Sequence, residues 1–168
     1  MALNLFSPDF TLSVHIPSTY TCQGRNINPN LRIFNPPANT KSFALIVEDP
    51  DAATDPAGNG EVYDHWVLFN IPPDTTLIEE GIVPPGCIQG KNSAGENAYT
   101  GPCPPNGAHL YRFTLYALDT LFSDNPNVSK KDLLAAMQGH IIEQSSIAGV
   151  YQKTPSAARP NSQTASST

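Results

Sequence analysis

The chain has 168 residues, a formal net charge of −6, 39% hydrophobic residues and 14% charged residues. This length fits one domain with a single hydrophobic core. Lys and Arg form no block, which argues against nucleic-acid binding through phosphate neutralisation. No stretch approaches the roughly 18 uninterrupted apolar residues of a transmembrane helix.

Apolar runs between turn residues predict three strands, at 42–48, 65–71 and 109–118. Each run is rich in Val, Ile, Phe or Tyr and is bounded by Pro, Gly, Asn or Asp, as in a β-sandwich or barrel. Two weaker candidates are 10–14 and 30–34. The sequence therefore predicts a mainly β fold.

One helix is predicted towards the C-terminal end. Ser129 is a candidate N-cap, and Asp132 follows in the capping-box position. Four apolar residues then fall near helical spacing: Leu133, Leu134, Met137 and Ile141. Gly139 is expected to kink this helix or divide it, so one or two short helices are predicted.

The last residues differ in composition from the rest of the chain. The segment "PSAARPNSQTASST" offers almost nothing that a core could bury. We therefore predict one domain over residues 1–154 and a disordered tail over 155–168.

Each main strand carries polar residues at one end of an apolar face. Side chains alternate between the two faces of a strand, so every second residue of a strand is expected on the same face. The residues expected to share a face in each strand are Phe43, Leu45, Val47 and Asp49; His65, Val67, Phe69 and Ile71; and His109, Tyr111, Phe113, Leu115 and Ala117. If the three polar ends meet, they form a polar pocket at the mouth of the core. The alternative is that each polar residue satisfies a nearby backbone group.

The cysteines and the N-terminal residues bear on the cellular location of the protein. The spacing of Cys22, Cys87 and Cys103 does not match a zinc site. Cys22 and Cys103 both lie in motifs near the expected pocket and could approach each other there. We nevertheless expect three free thiols in a reducing compartment. The N-terminal segment lacks a basic region followed by an apolar one, which argues against a signal peptide. The expected location is the cytoplasm.

No metal or cofactor is expected. The segment "DPDAATDPAGNGE" has the acidic residues of a calcium loop but not its Gly and Glu at the required positions. Catalytic motifs such as G-x-S-x-G and H-E-x-x-H are absent from the sequence.

Six motifs in order carry a family resemblance: "IPSTYTCQG", "NINPNL", "SFALIVEDPDA", "DHWVLFNIP", "GPCPPNGAHLYRFTLYALD" and "IAGVYQK". Over roughly residues 6–153 the chain resembles the phosphatidylethanolamine-binding proteins, especially their bacterial Raf-kinase-inhibitor-like branch. The resemblance implies a Greek-key-like sandwich of two antiparallel sheets with few helices. It also implies a small pocket for anionic groups such as the phosphate of a phospholipid head.

The resemblance also implies a set of ligand-binding residues in this chain. They are Asp49, Asp51, His65, Gly101, Pro102, Pro104, Pro105, His109 and Tyr111. Two positions depart from the family pattern: Ala53 replaces a proline, and Leu110 replaces the Arg of many eukaryotic relatives. The Leu110 change weakens any inherited kinase-binding role.

The expected function is non-enzymatic binding of a small anionic ligand or phospholipid head group. His65 and His109 are expected to offer N–H groups and Tyr111 a hydroxyl, while Asp49 orients a histidine and raises its pKa. Two alternatives stay open: a protein that regulates a kinase or protease through the pocket, and a hydrolase that uses His and Asp. A homodimer is also left open.

Overall fold

The computed structural model describes residues 1–12 and 14–155. In that part of the chain, eight strands and one α-helix follow in this order: β1 Asn4–Phe6, β2 Leu31–Phe34, β3 Ser42–Asp49, β4 Tyr63–Ile71, β5 Leu77–Ile78, β6 Ile88–Gln89, β7 His109–Leu118, α1 Lys130–Met137 and β8 Ile141–Tyr151. Short 3-10 helices span Ser18–Tyr20 and Pro50–Ala53. The predicted tail, apart from residue 155, lies outside the described residues.

The strands form two antiparallel sheets. The smaller sheet has the order β1-β2-β5, and the larger has the order β6-β4-β3-β7-β8. Apolar side chains from both sheets share one core, including Leu5, Leu31 and Ile33 from the smaller sheet and Phe43, Leu45 and Phe113 from the larger. The predicted mainly β fold with two antiparallel sheets is confirmed.

The outer face of the larger sheet is covered by α1. Ala44, Ile46, Val67 and Phe69 pack there against Leu133 and Met137 of the helix. Burial on both faces explains why the middle strands read as almost continuous apolar runs.

The main predicted strands correspond to β3, β4 and β7, and the weaker candidate at 30–34 contains β2. The candidate at 10–14 is wrong. Its described residues include a turn in which Val14 N donates to Thr11 O at 3.0 Å. Phe10 is nevertheless buried, with its ring centroid 5.3 Å from that of Phe113. Leu12 and Val14 are exposed, and the backbone of this region meets β8 only where Val14 O accepts from Val150 N at 3.1 Å beside an isolated bridge of His15 and Val150.

The helix begins as predicted but ends early. Ser129 and Asp132 form the capping box, and α1 ends at Met137. Gly139 then adopts a φ of +81°, the left-handed conformation that favours glycine after a helix. Ile141 begins β8, so its placement on the helix is wrong, and no second α-helix follows within the described residues.

No helix in the described part of the chain combines the length and the apolar character needed to cross a membrane.

Candidate functional site

A cavity of about 500 Å³ opens at one end of the larger sheet. Because β3 runs antiparallel to both β4 and β7, the end of β3 meets the starts of its two neighbours there. Of the predicted site residues, the cavity is lined by Asp49, His65, Gly101, Pro104, Pro105, His109 and Tyr111. Asp51 and Pro102 are not part of its lining.

Asp49, His65, His109 and Tyr111 are all at least nine-tenths buried. They come from three strands that are far apart in sequence, and the structure places them around the same space. Whether they bind a ligand stays a prediction.

A bulge in β4 places His65 in this group. Val47 pairs with Trp66, whereas the next β3 residue, Glu48, pairs with Asp64, so His65 is an extra residue in β4. Such a bulge changes which face the following side chains occupy. The predicted line from His65 through Val67, Phe69 and Ile71 is therefore wrong: Val67 and Phe69 pack on the helix side, whereas Ile71 lies in the core between the sheets.

His109 lies between two carboxylates. Its Nδ1 is 2.6 Å from Asp49 Oδ2, and its Nε2 is 2.8 Å from Asp55 Oδ2. Burial lowers the pKa of His109, but the hydrogen bonds and charges of Asp49 and Asp55 outweigh burial and raise it overall. The predicted orienting role of Asp49 fits this contact. Both ring nitrogens of His109 are engaged by these carboxylates, and the expectation that His109 donates to a ligand stays a prediction.

The two carboxylates also hold the loop after β3. Asp49 Oδ1 accepts from Ala52 N at 3.1 Å and caps the 3-10 helix. Asp55 Oδ1 accepts from Ala57 N and from the Asn106 side chain, contacts that help to lower the pKa of Asp55. His109 thus joins β7 to the end of β3 through Asp49 and to the following loop through Asp55.

His65 is held in one orientation by the opposite wall. Its Nδ1 is 2.6 Å from Thr100 O, and since a carbonyl can only accept, Nδ1 carries the proton. Burial lowers the pKa of His65 to about 4, so the ring is neutral at physiological pH. Its ring centroid lies 4.7 Å from that of Tyr63 and 5.2 Å from that of Tyr111.

The Tyr111 hydroxyl is buried and has no hydrogen-bond partner. Asp49 and the Cys103 amide lie nearby, but neither reaches hydrogen-bonding geometry with it. Burial raises the pKa of this hydroxyl, so it keeps its proton. A buried hydroxyl without a partner is costly, and it is the kind of group that a ligand or an ordered water satisfies.

The wall formed by residues 99–105 is fixed to the segment 18–26. Tyr99 Oη donates to Tyr20 O at 2.7 Å, and Gly101 N donates to Asn26 Oδ1 at 2.7 Å. A Cβ at Gly101 would lie 2.4 Å from Tyr20 O, which explains why glycine is needed there. The predicted site residue Pro102 accepts from Cys22 N through its carbonyl at 3.1 Å.

Cys22 and Cys103 form a disulfide, with their Cα atoms 5.5 Å apart. The expectation of three free thiols is therefore wrong. Counting cysteines without knowing their positions could not show that the fold brings these two together. Cys87 is the free cysteine in the described part of the chain.

Asp51 lies behind the cavity wall, where its Oδ2 accepts from Leu110 N at 2.7 Å. This contact fastens the 3-10 helix to β7, so Asp51 supports the site from outside.

Sequence reasoning missed several lining residues: Asp55, Asn59, Glu61, Tyr63 and Thr100. Asp55, Asn59 and Glu61 belong to the segment whose acidic residues resemble a calcium loop without its Gly and Glu. The signal available for them was the concentration of acidic and turn residues directly after β3.

Comparisons with known proteins show the family of this chain. A sequence model of the family "Phosphatidylethanolamine-binding protein" matches residues 6–152. A UPF0098 protein from Methanothermobacter thermautotrophicus is 45% identical over 156 residues, covering 90% of this chain and 99% of the relative. The chain belongs to the phosphatidylethanolamine-binding protein family, in its bacterial-type branch, as its motifs predicted.

Two solved structures have the same fold. A phosphatidylethanolamine-binding protein homologue from Chlamydia trachomatis superposes with a TM-score of 0.85 at 40% identity, covering 91% of this chain and 99% of the homologue. Escherichia coli YbcL is a member of the mammalian phosphatidylethanolamine-binding protein family. It superposes with a TM-score of 0.82 at 27% identity, covering 92% of this chain and 100% of YbcL.

Proposed function

We propose that this chain is a non-enzymatic binding protein whose cavity holds a small phosphate-bearing ligand, either a free phosphate ester or a phospholipid head group. The observation that carries the proposal is the convergence of Asp49, His65, His109 and Tyr111 from three strands on one cavity. The Tyr111 side chain also carries a buried hydroxyl without a hydrogen-bond partner. A phosphate oxygen is a strong acceptor, and its hydrogen bond would replace the water that the hydroxyl lost on burial.

The charges around the cavity favour a ligand that also carries a positive group. Asp49, Asp55 and Glu61 line it, and the nearby His109, with its raised pKa, offsets only one of these negative charges. Glu61 is exposed. An ammonium group beside a phosphate, as in O-phosphoethanolamine, would meet these carboxylates while the phosphate meets Tyr111.

The chemistry of the lining residues supports binding over turnover. Cys103 is in a disulfide and therefore has no thiolate to attack a substrate. Burial raises the pKa values of the Tyr63 and Tyr111 hydroxyls, so both keep their protons. His109, the histidine paired with a carboxylate, has both nitrogens occupied.

Calorimetry with O-phosphoethanolamine tests the proposal. Wild-type protein should bind one molecule per chain, and Tyr111→Phe should weaken binding by about 1.5–3 kcal/mol, the range for a hydrogen bond to a charged group. Tyr116→Phe is the matched control, because Tyr116 lies on the same strand but packs on the α1 side. Absence of binding to the wild type, or equal losses in both variants, would contradict the proposal.

The cytoplasmic location stays a prediction, and the Cys22–Cys103 bond weighs against it, because disulfides persist mainly in oxidising compartments. Regulation of a kinase or protease through the cavity, and assembly into a homodimer, also stay open as alternatives.

A further inference from the structure

We propose that the Cys22–Cys103 disulfide is a reversible redox site, and that its reduction by a dithiol loosens one wall of the cavity and weakens ligand binding. The effect on binding rests on the proposed function and adds a means of regulating the same cavity. The position of the disulfide and the other contacts of the two segments that it joins support this proposal.

Both cysteines of the disulfide are accessible. Cys22 and Cys103 are exposed residues, and Cys103 is part of the cavity lining. Cleavage of a disulfide requires a thiolate to reach one of its sulfur atoms, and exposed disulfides are the ones that act as labile or regulatory bonds. Cys87 does not supply this thiolate, because it is half-buried and burial raises its pKa to about 11. Reduction therefore needs an external thiol.

The proposed reaction is thiol–disulfide exchange with an external dithiol. One thiolate of the dithiol attacks a sulfur atom of the disulfide, which forms a mixed disulfide and releases the other cysteine as a thiolate. The second thiolate of the dithiol then closes a disulfide within the reductant and displaces the remaining cysteine. The protein gains two electrons and two protons and carries two thiols, while the reductant loses both and is oxidised.

The wall on the Cys103 side has few other polar contacts. Residues 102–105 contain three prolines, and a proline has no backbone N–H, so Cys103 carries the single backbone donor of this stretch. In the part of the chain that the structure describes, the three residues after Pro102 make no hydrogen bond; the next one involves the Asn106 side chain. The disulfide and the packing of the buried Pro104 therefore hold this stretch in place.

The Cys22 side is held independently of the disulfide. Backbone hydrogen bonds close successive turns within residues 18–26. Gln23, next to Cys22, is bonded twice to Thr154: its Nε2 donates to Thr154 O, and its Oε1 accepts from Thr154 N, both at 2.9 Å. Cleavage of the disulfide should therefore release the Cys103 side while the Cys22 side keeps its place.

Release of Cys103 should make the cavity wall more mobile, because Cys103, Pro104 and Pro105 all line the cavity. A ligand that binds the reduced protein must order this stretch, and the ordering lowers its affinity. We expect affinity to fall about tenfold, equivalent to about 1.4 kcal/mol, which is within the range for fixing the backbone of one residue.

The test compares oxidised and reduced protein. Folded protein is treated with the dithiol dithiothreitol without denaturant, then quenched with acid and denatured for thiol titration. The count should rise from one thiol, that of Cys87, to three. By calorimetry, the reduced protein should bind O-phosphoethanolamine about tenfold more weakly than the oxidised protein, and reoxidation should restore the affinity.

Two variants separate the disulfide from other effects of the reductant. Cys87→Ser should respond to dithiothreitol as the wild type does, because Cys87 is outside the disulfide. The double variant Cys22→Ser and Cys103→Ser should bind like reduced wild type, with or without dithiothreitol. If the double variant does not fold, reduced and reoxidised wild type make the same comparison. Loss of the native circular dichroism spectrum on reduction would show a purely structural bond and overturn the proposal.

The outcomes distinguish this proposal from the proposed function. If oxidised and reduced protein bind O-phosphoethanolamine equally, the redox proposal is wrong while ligand binding stands. The redox proposal is also wrong if dithiothreitol reduces the disulfide only in denatured protein. If neither form binds O-phosphoethanolamine, the proposed function is wrong, and the regulation proposed here is wrong with it.

Discussion

Tyr111 combines a place in the core with an energetically unfavourable feature, a buried polar atom that makes no hydrogen bond. Its ring is part of the core, but its hydroxyl is buried without a partner. Phenylalanine would fill the same volume without that polar atom. We therefore expect the hydroxyl to lower the stability of the unliganded protein, a cost that a ligand would offset under the proposed function.

We expect Tyr111→Phe to stabilise the unliganded protein by about 1 kcal/mol, the lower end of the cost of an unsatisfied buried polar group. For a domain of this size that corresponds to a rise of about 2–4 °C in Tm. Thermal unfolding of wild type and variant without ligand measures it. A decrease in Tm would show that the hydroxyl makes a stabilising contact in the free protein.

His109 should make stability depend on pH. Its pKa is raised in the folded protein, so its contribution is fully present below the unfolded value of about 6.5 and is lost as pH rises through the folded value. We expect the free energy of unfolding to fall above about pH 6.5 in wild type and to fall less in His109→Gln. Denaturant titrations across this range provide the measurement, and identical slopes in both proteins would contradict the assignment.

The alternation of side chains along a strand predicted the positions of Asp49 and Tyr111 correctly, whereas His65 reached the cavity for a different reason. Asp49 and Tyr111 follow the parity of β3 and β7, which pair without a register shift along these faces. His65 reached the cavity although its predicted line was wrong, because a bulge in β4 intervenes. A bulge depends on how two strands pair, and nothing in the β4 sequence alone reveals it.

At the scale of elements, the cavity wall depends on the join between residues 18–26 and 99–105. Three hydrogen bonds and the Cys22–Cys103 disulfide connect these segments, which are 81 residues apart at the cysteines. Closing so long a loop restricts the unfolded chain, and this stabilises the folded state.

Thiol titration of denatured, unreduced protein should find one thiol, from Cys87, and three after reduction. The double variant Cys22→Ser and Cys103→Ser should lose about 2–4 kcal/mol of unfolding free energy. Cys87→Ser is the control, since Cys87 is outside the disulfide. Three thiols before reduction would contradict the structure.

β8 is the longest of the elements that the sequence did not reveal, which also include the short strands β1, β5 and β6. It lies at the edge of the larger sheet, where its first residues alternate irregularly between exposed and half-buried and buried residues occur only near its end. An edge strand buries too little to produce a clear apolar pattern, and its first residues continue the helical spacing of α1. Gly139 marks the boundary between α1 and β8. From sequence alone, a glycine that ends a helix in the left-handed conformation cannot be distinguished from a glycine that kinks a helix.

For the whole molecule, the layers explain why the fold was more predictable than the site. The larger sheet is covered by the smaller sheet on one face and by α1 on the other, so its strands stand out as apolar runs. The cavity depends on side chains from separate strands and loops, whose partners are set by tertiary contacts. The pairing of His109 with Asp55 is the clearest example, because nothing in the sequence alone shows that both ring nitrogens of His109 are hydrogen-bonded within the protein.

We propose that a phosphate group occupies the cavity lined by His65 and Tyr111. A high-resolution crystal structure of the protein with O-phosphoethanolamine tests it most directly. We predict density for the phosphate in the cavity, with oxygens within about 3.2 Å of Tyr111 Oη and His65 Nε2, and His109 still bonded to Asp49 and Asp55. An empty cavity with the ligand bound elsewhere, at concentrations where calorimetry detects binding, would contradict the account.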